Sequence, residues 1–184
     1  RGEAMSLGER SPLALINPAA SARIAVAEAL TNLCATDIDG LSRVSLSANW
    51  MAAAGRPGQD QALHEGVLAA TDLSRSLGVS IPVGKDSMSM HTAWQDQNNT
   101  QQSVTSPLTL VVTAFSPVVD TRLTSTPQIL EPFEESKLLW IDLGQGLSRL
   151  GGSCLAQVHG QIGNQSPDVV ETEKLAAMLN CVVE

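Results

Sequence analysis

The sequence predicts an α/β protein: most of one domain, followed by the opening of a second. Three observations carry this. Stretches with a helical period alternate with short strand-like runs, in the order helix, strand, helix, strand, hairpin, strand, then strand and helix again. Hydrophobic residues make up 43% of the 184 residues while aromatics supply only 3%, so the composition supports a core of Ala, Leu, Val and Ile and argues against disorder. Between Asp120 and Ser136, "DTRLTSTPQILEPFEES" trades periodicity for prolines and acids, which marks a boundary.

The elements follow in order. Asn17-Pro18 is a helix start, with Asn as N-cap and Pro at the first helical position, and the helix is expected to run to about Thr36. Its many alanines let one face press closely on a sheet. "RVSLSANWM" reads as a strand with Val44, Leu46, Ala48 and Trp50 on one side and Ser45, Ser47, Asn49 and Met51 on the other. "GRPG" is a turn. A second helix is expected from about Asp60 to Leu77, with Leu63, Val67, Ala70, Leu73 and Leu77 as its apolar stripe and Gly78 as its stop. "VSIPV" is a strand, "QDQNNTQQ" a polar hairpin loop, and "PLTLVVTAFSPV" a strand apolar on both faces, hence central. After the boundary, "KLLWIDLG" reads as a buried strand, "GQGLSRLGGSCLAQVHGQIG" as a glycine-rich turn into a helix, and a last helix begins near Pro167.

Charge and cysteine usage narrow the function classes. The net charge is −8, from 11 Lys+Arg against 19 Asp+Glu, with no basic cluster, which argues against a nucleic-acid surface. It does not argue against a nucleotide, which one lysine, backbone N–H groups and Mg²⁺ can hold. Cys34, Cys154 and Cys181 form no CxxC pair and fit reduced thiols in a cytosolic protein. No apolar run reaches the roughly 18 residues of a membrane span. The start, "RGEAMSLGER", lacks an initiator Met and a signal-peptide core, and "EKLAAMLNCVVE" stops within an amphipathic pattern, so the expectation is an internal piece of a longer chain.

Four stretches are candidates for chemistry. In "IPVGKDSMSM", Gly84 permits close backbone approach, Lys85 is a point charge suited to phosphate, and Asp86 can pair with it or face a metal. Ser87 and Ser89 alternate with Met88 and Met90. This is not a Walker A loop, because Val79 stands where its first glycine belongs and Asp86 follows the lysine. The alternative is a solvated strand end. In "EALTN", Glu28 and Asn32 lie four apart on one helix face and offer two oxygens of the kind Mg²⁺ takes; the alternative is an exposed polar stripe. Asn49 either meets a ligand or closes a turn. Gly144 and Gly146 begin a GxGxxG-like run, but Arg149 replaces the third glycine, which leaves a tight turn with a weak anion-binding signal.

Taken together, "NPAASARIAVAEALTNLCATDI", "LSANWMAAAGRPGQD", "IPVGKDSMSM", "TSPLTLVVTAF" and "LGGSCLAQV" closely resemble phosphoribosylformylglycinamidine synthase of the large, single-chain, glutamine-dependent type, over essentially the whole chain. The resemblance implies a cytoplasmic ligase of purine biosynthesis. It turns formylglycinamide ribonucleotide, ATP and glutamine into formylglycinamidine ribonucleotide, ADP, phosphate and glutamate. It also implies an α+β fold like that of aminoimidazole ribonucleotide synthetase, a mixed sheet with packed helices, followed by the start of a C-terminal α/β domain. On that reading residues 1–120 are most of the N-terminal domain of the second synthetase half, 121–136 a linker, and 137–184 the truncated start of the C-terminal domain. The first synthetase half and a glutaminase domain of the same polypeptide are the implied partners, with no nucleic acid and no membrane. Glu28 and Asn32 match the family's Mg²⁺ ligands, and Gly84, Lys85, Asp86 and Ser87 match its segment beside the nucleotide. An aspartate completing the metal cluster is expected upstream of Arg1, and a further Asp/Ser pair beyond Glu184. The glutaminase cysteine lies elsewhere, so no residue of this segment is expected to be catalytic. In large-type enzymes this half's site holds ADP with Mg²⁺ without turnover, which would give Lys85 an architectural role. Two alternatives stay open: a Mg-ADP-binding structural module, and an enzyme like aminoimidazole ribonucleotide synthetase.

Overall fold

A computed structural model describes residues 2–129 and 136–183. The linker expected over 121–136 lies partly outside them, at 130–135. Strand β1 (Gly2–Glu9) opens the fold, followed by a 3₁₀ turn at Ser11–Leu15 and helix α1 (Pro18–Leu33). Then come β2 (Ser45–Met51), α2 (Gln59–Ser76), β3 (Ser80–Ser87), the hairpin β4 (His91–Gln95) and β5 (Gln101–Thr105), and β6 (Thr109–Val118). Two further helices follow, α3 (Cys154–Val158) and α4 (Thr172–Val183).

The main sheet is mixed, in the order β1-β6-β2-β3. The β6 strand runs antiparallel to both β1 and β2, and β2 runs parallel to β3. Both helices α1 and α2 pack on one face, which gives the mixed sheet with packed helices that the resemblance implied. Helix α1 starts as its sequence dictates: Asn17 Oδ1 accepts the Ala20 N–H at 3.0 Å, with Pro18 at the first helical position. Small residues then let the layers touch. A Cβ at Gly8 would sit 2.0 Å from the Ala25 carbonyl oxygen, so β1 lies directly on the backbone of α1. Helix α2 stops at Gly78, whose φ of +68° suits glycine. Its buried face carries Gly66, Ala69, Ala70, Leu73 and Ser74, with Leu77 following, so Val67 sits just off the expected stripe and is exposed.

Several expectations shift. Strand β1 precedes the first element read from the sequence. Its inward residues are Ala4, Ser6 and Gly8, while Met5 and Leu7 point outward and are exposed, so its alternation is the reverse of a half-buried strand. Lys137–Gly144, which the sequence marks as a buried strand, is irregular, with Leu138, Leu139 and Trp140 84–89% exposed. Among the described residues no strand lies beside it, so its backbone has no ladder to join. The last helix begins at Thr172 rather than near Pro167, and its Leu175 and Leu179 are buried in the same core as α1 and α2. Arg23 of α1 fastens this region with a bidentate pair to Asp168, at 2.7 and 2.6 Å. Those hydrogen bonds hold the Arg23 guanidinium above its ordinary pKa. Among the described residues, no helix is long and apolar enough to cross a membrane.

Candidate functional site

The two sequence-derived candidate sets sit at opposite edges of the sheet. Glu28 and Asn32 face β1, whereas Gly84, Lys85, Asp86 and Ser87 end β3. Three strand spacings separate those edges, about 14 Å. They nevertheless share a level, because β1, β2 and β3 all run the same way and Glu9, Val111, Asn49 and Lys85 form one transverse row. Alternation puts these four side chains on the face away from the helices.

Glu28 is built into its place. Its Oε2 accepts the Glu9 N–H at 2.8 Å, and its Oε1 pairs with Arg10 Nη2 at 2.7 Å. The carboxylate is half-buried beside Ala27 and Ala29, and the two donors compensate its desolvation. One turn on, Asn32 donates through Nδ2 to the Leu7 carbonyl at 3.0 Å. That bond assigns the amide orientation and leaves Oδ1 accepting no hydrogen bond among the described residues. The end of β1 thus organises both side chains, and the sequence reading had no strand there.

At the other edge, Gly84, Lys85 and Asp86 are exposed and Ser87 is half-buried. Lys85 Nζ donates to Ser87 Oγ, two residues along the same strand face. A Cβ at Gly84 would meet only the Ala48 carbonyl oxygen, at an ordinary 3.5 Å, so packing within the domain does not require glycine there. Strand β3 ends at Ser87, so the expected alternation of Ser89 with Met90 is not continued, although Ser89 bridges to Ala53. Asn49, beside Lys85, has an Oδ1 shielded from solvent without a hydrogen-bond partner among the described residues.

The glycine-rich turn is already satisfied. Asp142 accepts the N–H groups of Gly144 at 2.7 Å and Gly146 at 2.6 Å, so the anion held there is the chain's own carboxylate. The Gly151 and Gly152 N–H groups bond to the Gln165 and Ile162 carbonyls. What this segment does contribute is a wall: Gly152, Ser153 and Cys154 face Glu9, Arg10 and Ile24 across a cleft of about 480 Å³.

The donor chemistry of Glu28 and Asn32, a carboxylate and an amide oxygen, is that of a hard-cation site. Their arrangement places a guanidinium at the carboxylate, and among the described residues no three His, Cys, Asp or Glu side chains come together as a metal cluster.

A mixed four-stranded sheet with its helices on one face defines an α+β domain like the N-terminal domain of PurM. Residues 1–117 match the family model described as the FGAR-AT PurM_N-like domain, and the chain belongs to that family. Among solved structures, phosphoribosylformylglycinamidine synthase II from Thermotoga maritima is similar at 21% identity and a TM-score of 0.51, over 68% of this chain and 19% of that one. T. maritima PurL complexed with ATP is similar at 21% identity and a TM-score of 0.46, over 63% and 18%. Hydrogenase maturation protein HypE in complex with ATP is similar at 15% and 0.48, over 65% and 31%. The chain spans between 18% and 31% of the length of these three solved chains.

Proposed function

We propose that this chain is a segment of a cytoplasmic phosphoribosylformylglycinamidine synthase of the large, single-chain type, drawn from its second synthetase half. The parent ligase consumes ATP and takes its nitrogen from glutamine. It converts formylglycinamide ribonucleotide to the amidine, with ADP, phosphate and glutamate as the other products. The observation that carries this reading is the family match over residues 1–117, which spans both candidate sets. The ATP named for the T. maritima and HypE structures is consistent with it.

Within that enzyme, Glu28 and Asn32 are the proposed Mg²⁺ ligands, and Gly84, Lys85, Asp86 and Ser87 line the nucleotide. When bound, Mg²⁺ neutralises phosphate oxygens and orients the polyphosphate. The first synthetase half and a glutaminase domain of the same polypeptide supply the rest of the chemistry. In this reading residues 1–120 are most of the N-terminal domain of this half, 121–136 a linker, and 137–184 the truncated start of its C-terminal domain.

The test uses the parent chain with formylglycinamide ribonucleotide, ATP and glutamine. Amidine formation by the parent, and none by residues 1–184 alone, is expected. Glu28→Gln and Lys85→Ala should lower retained ADP more than the rate of the chemical step. Turnover by residues 1–184 alone rules out the segment reading, and a pure rate loss with ADP retained rules out the non-turnover site.

A further inference from the structure

We infer that Arg10 is the resident counter-cation of the Glu28 carboxylate, and that a divalent cation enters this position by displacing it. The inference rests on the proposed assignment of Glu28 and Asn32 as cation ligands and adds a competition built into the chain.

The geometry divides the site into a fixed part and a movable part. Glu28 is fixed: its Oε2 is held by the Glu9 N–H at 2.8 Å, and its side chain is 24% exposed. Asn32, exposed, is tied through Nδ2 to the Leu7 carbonyl at 3.0 Å, which leaves its Oδ1 out of that bond. Arg10 is movable: its side chain is 51% exposed, its contact to Glu28 is a single 2.7 Å bond through Nη2, and it borders the open cleft against Gly152 and Cys154. A guanidinium and a divalent cation on one carboxylate repel each other across a few ångströms. Among the described residues no group of three His, Cys, Asp or Glu side chains gathers there to offset that repulsion. The cation therefore gains Glu28 only as Arg10 swings into the cleft, and the Glu9 and Asn32 bonds keep both oxygens in place as it does.

The experiment is a Mn²⁺ titration of the intact parent chain without nucleotide, read by the EPR signal of free Mn²⁺. Arg10→Gln is expected to tighten the Glu28-dependent site about two- to fivefold, the range of a part-exposed ion pair. Glu28→Gln should abolish that site. Arg10→Lys keeps the charge and should hold the affinity near that of the wild type, and it serves where Arg10→Gln does not fold. Unchanged or weaker binding in Arg10→Gln, with the site still lost in Glu28→Gln, overturns the competition and leaves the ligand assignment standing. Tightening of about twofold or more by Arg10→Lys, measured against the wild type alone, also overturns it. If Glu28→Gln binds Mn²⁺ as the wild type does, the ligand assignment itself falls and takes the inference with it.

Discussion

Replacing Gly8 with alanine tests the packing that builds the site. The added Cβ would lie 2.0 Å from the Ala25 carbonyl oxygen and 2.5 Å from the Ala29 nitrogen. Ordinary heavy-atom contacts begin near 3.5 Å, so β1 must retreat from α1 by about 1.5 Å. Both neighbours are backbone atoms of a helix and cannot rotate aside. Overpacking alone costs roughly 1–3 kcal/mol. The retreat also strains three bonds that tie β1 to α1: Ser6 Oγ to the Ala29 carbonyl, the Glu9 N–H to Glu28, and Asn32 to the Leu7 carbonyl. Each contributes about 1 kcal/mol. With all three bonds lost, Gly8→Ala should therefore cost about 4–6 kcal/mol, a large share of a typical domain's stability. Urea unfolding followed by circular dichroism measures this, with Gly84→Ala as comparator. At Gly84 the nearest contact is 3.5 Å, and alanine in a strand is slightly favoured over glycine, so a change within about 1 kcal/mol is expected. A loss below about 1 kcal/mol for Gly8→Ala would refute the close approach of strand to helix.

Three further outcomes follow from the packing and electrostatics. Leu179 is 0% exposed, and Leu179→Ala should cost about 2–5 kcal/mol in the same unfolding assay; a near-neutral result would mean that α4 does not share the core of α1 and α2. Arg23→Met should cost about 1–2 kcal/mol, between the limits for exposed and buried pairs, and raise hydrogen exchange over Thr172–Val183, with little added effect when Asp168→Asn is already present. Additive effects in that double-mutant cycle would contradict the direct pair. Asp96 is held below its ordinary pKa of 3.8, first by the Thr100 N–H and then by the Asn98 N–H and Gln102. A lowered carboxyl pKa stabilises the folded state above its unfolded value and loses that contribution as pH falls through the folded one. The loop between β4 and β5 should therefore gain amide exchange, after correction for intrinsic rates, as pH falls below that ordinary value. Protection at Thr100 that stays constant through the acid range would argue against it.

Local signals in the sequence settled the helices of the first 120 residues. The Asn17 cap, Pro18 and the alanine-rich face define α1, and the positive-φ Gly78 ends α2. The two-sided apolar run of β6 gave its central place, and the polar Asp96–Thr100 turn gave the hairpin. These features are written within a few residues of one another, so a short window contains the whole cause. The spacing of Glu28 and Asn32 on one helix face was legible in the same way, but an exposed polar stripe has the same spacing, so only the family resemblance singled the pair out.

Tertiary structure decided the rest, because each remaining feature joins residues distant along the chain. Strand β1 is hidden from pattern reading: its buried side is Ala4, Ser6 and Gly8, residues chosen for closeness to α1 rather than for hydrophobicity. Only strand order shows that Glu28 and Lys85 belong to opposite sheet edges, and only register shows that Glu9, Asn49 and Lys85 share one row. The strand expected at Lys137–Gly144 had the right composition, but a strand forms only where a neighbour accepts its backbone hydrogen bonds. Arg10 reaches Glu28 across 18 residues of sequence separation, and Arg23 reaches Asp168 across 145. The carboxylate of Glu28 and the amide of Asn32 are set by the sequence; that Glu28 meets Arg10 and Asn32 meets Leu7 is set by the packing of β1 on α1.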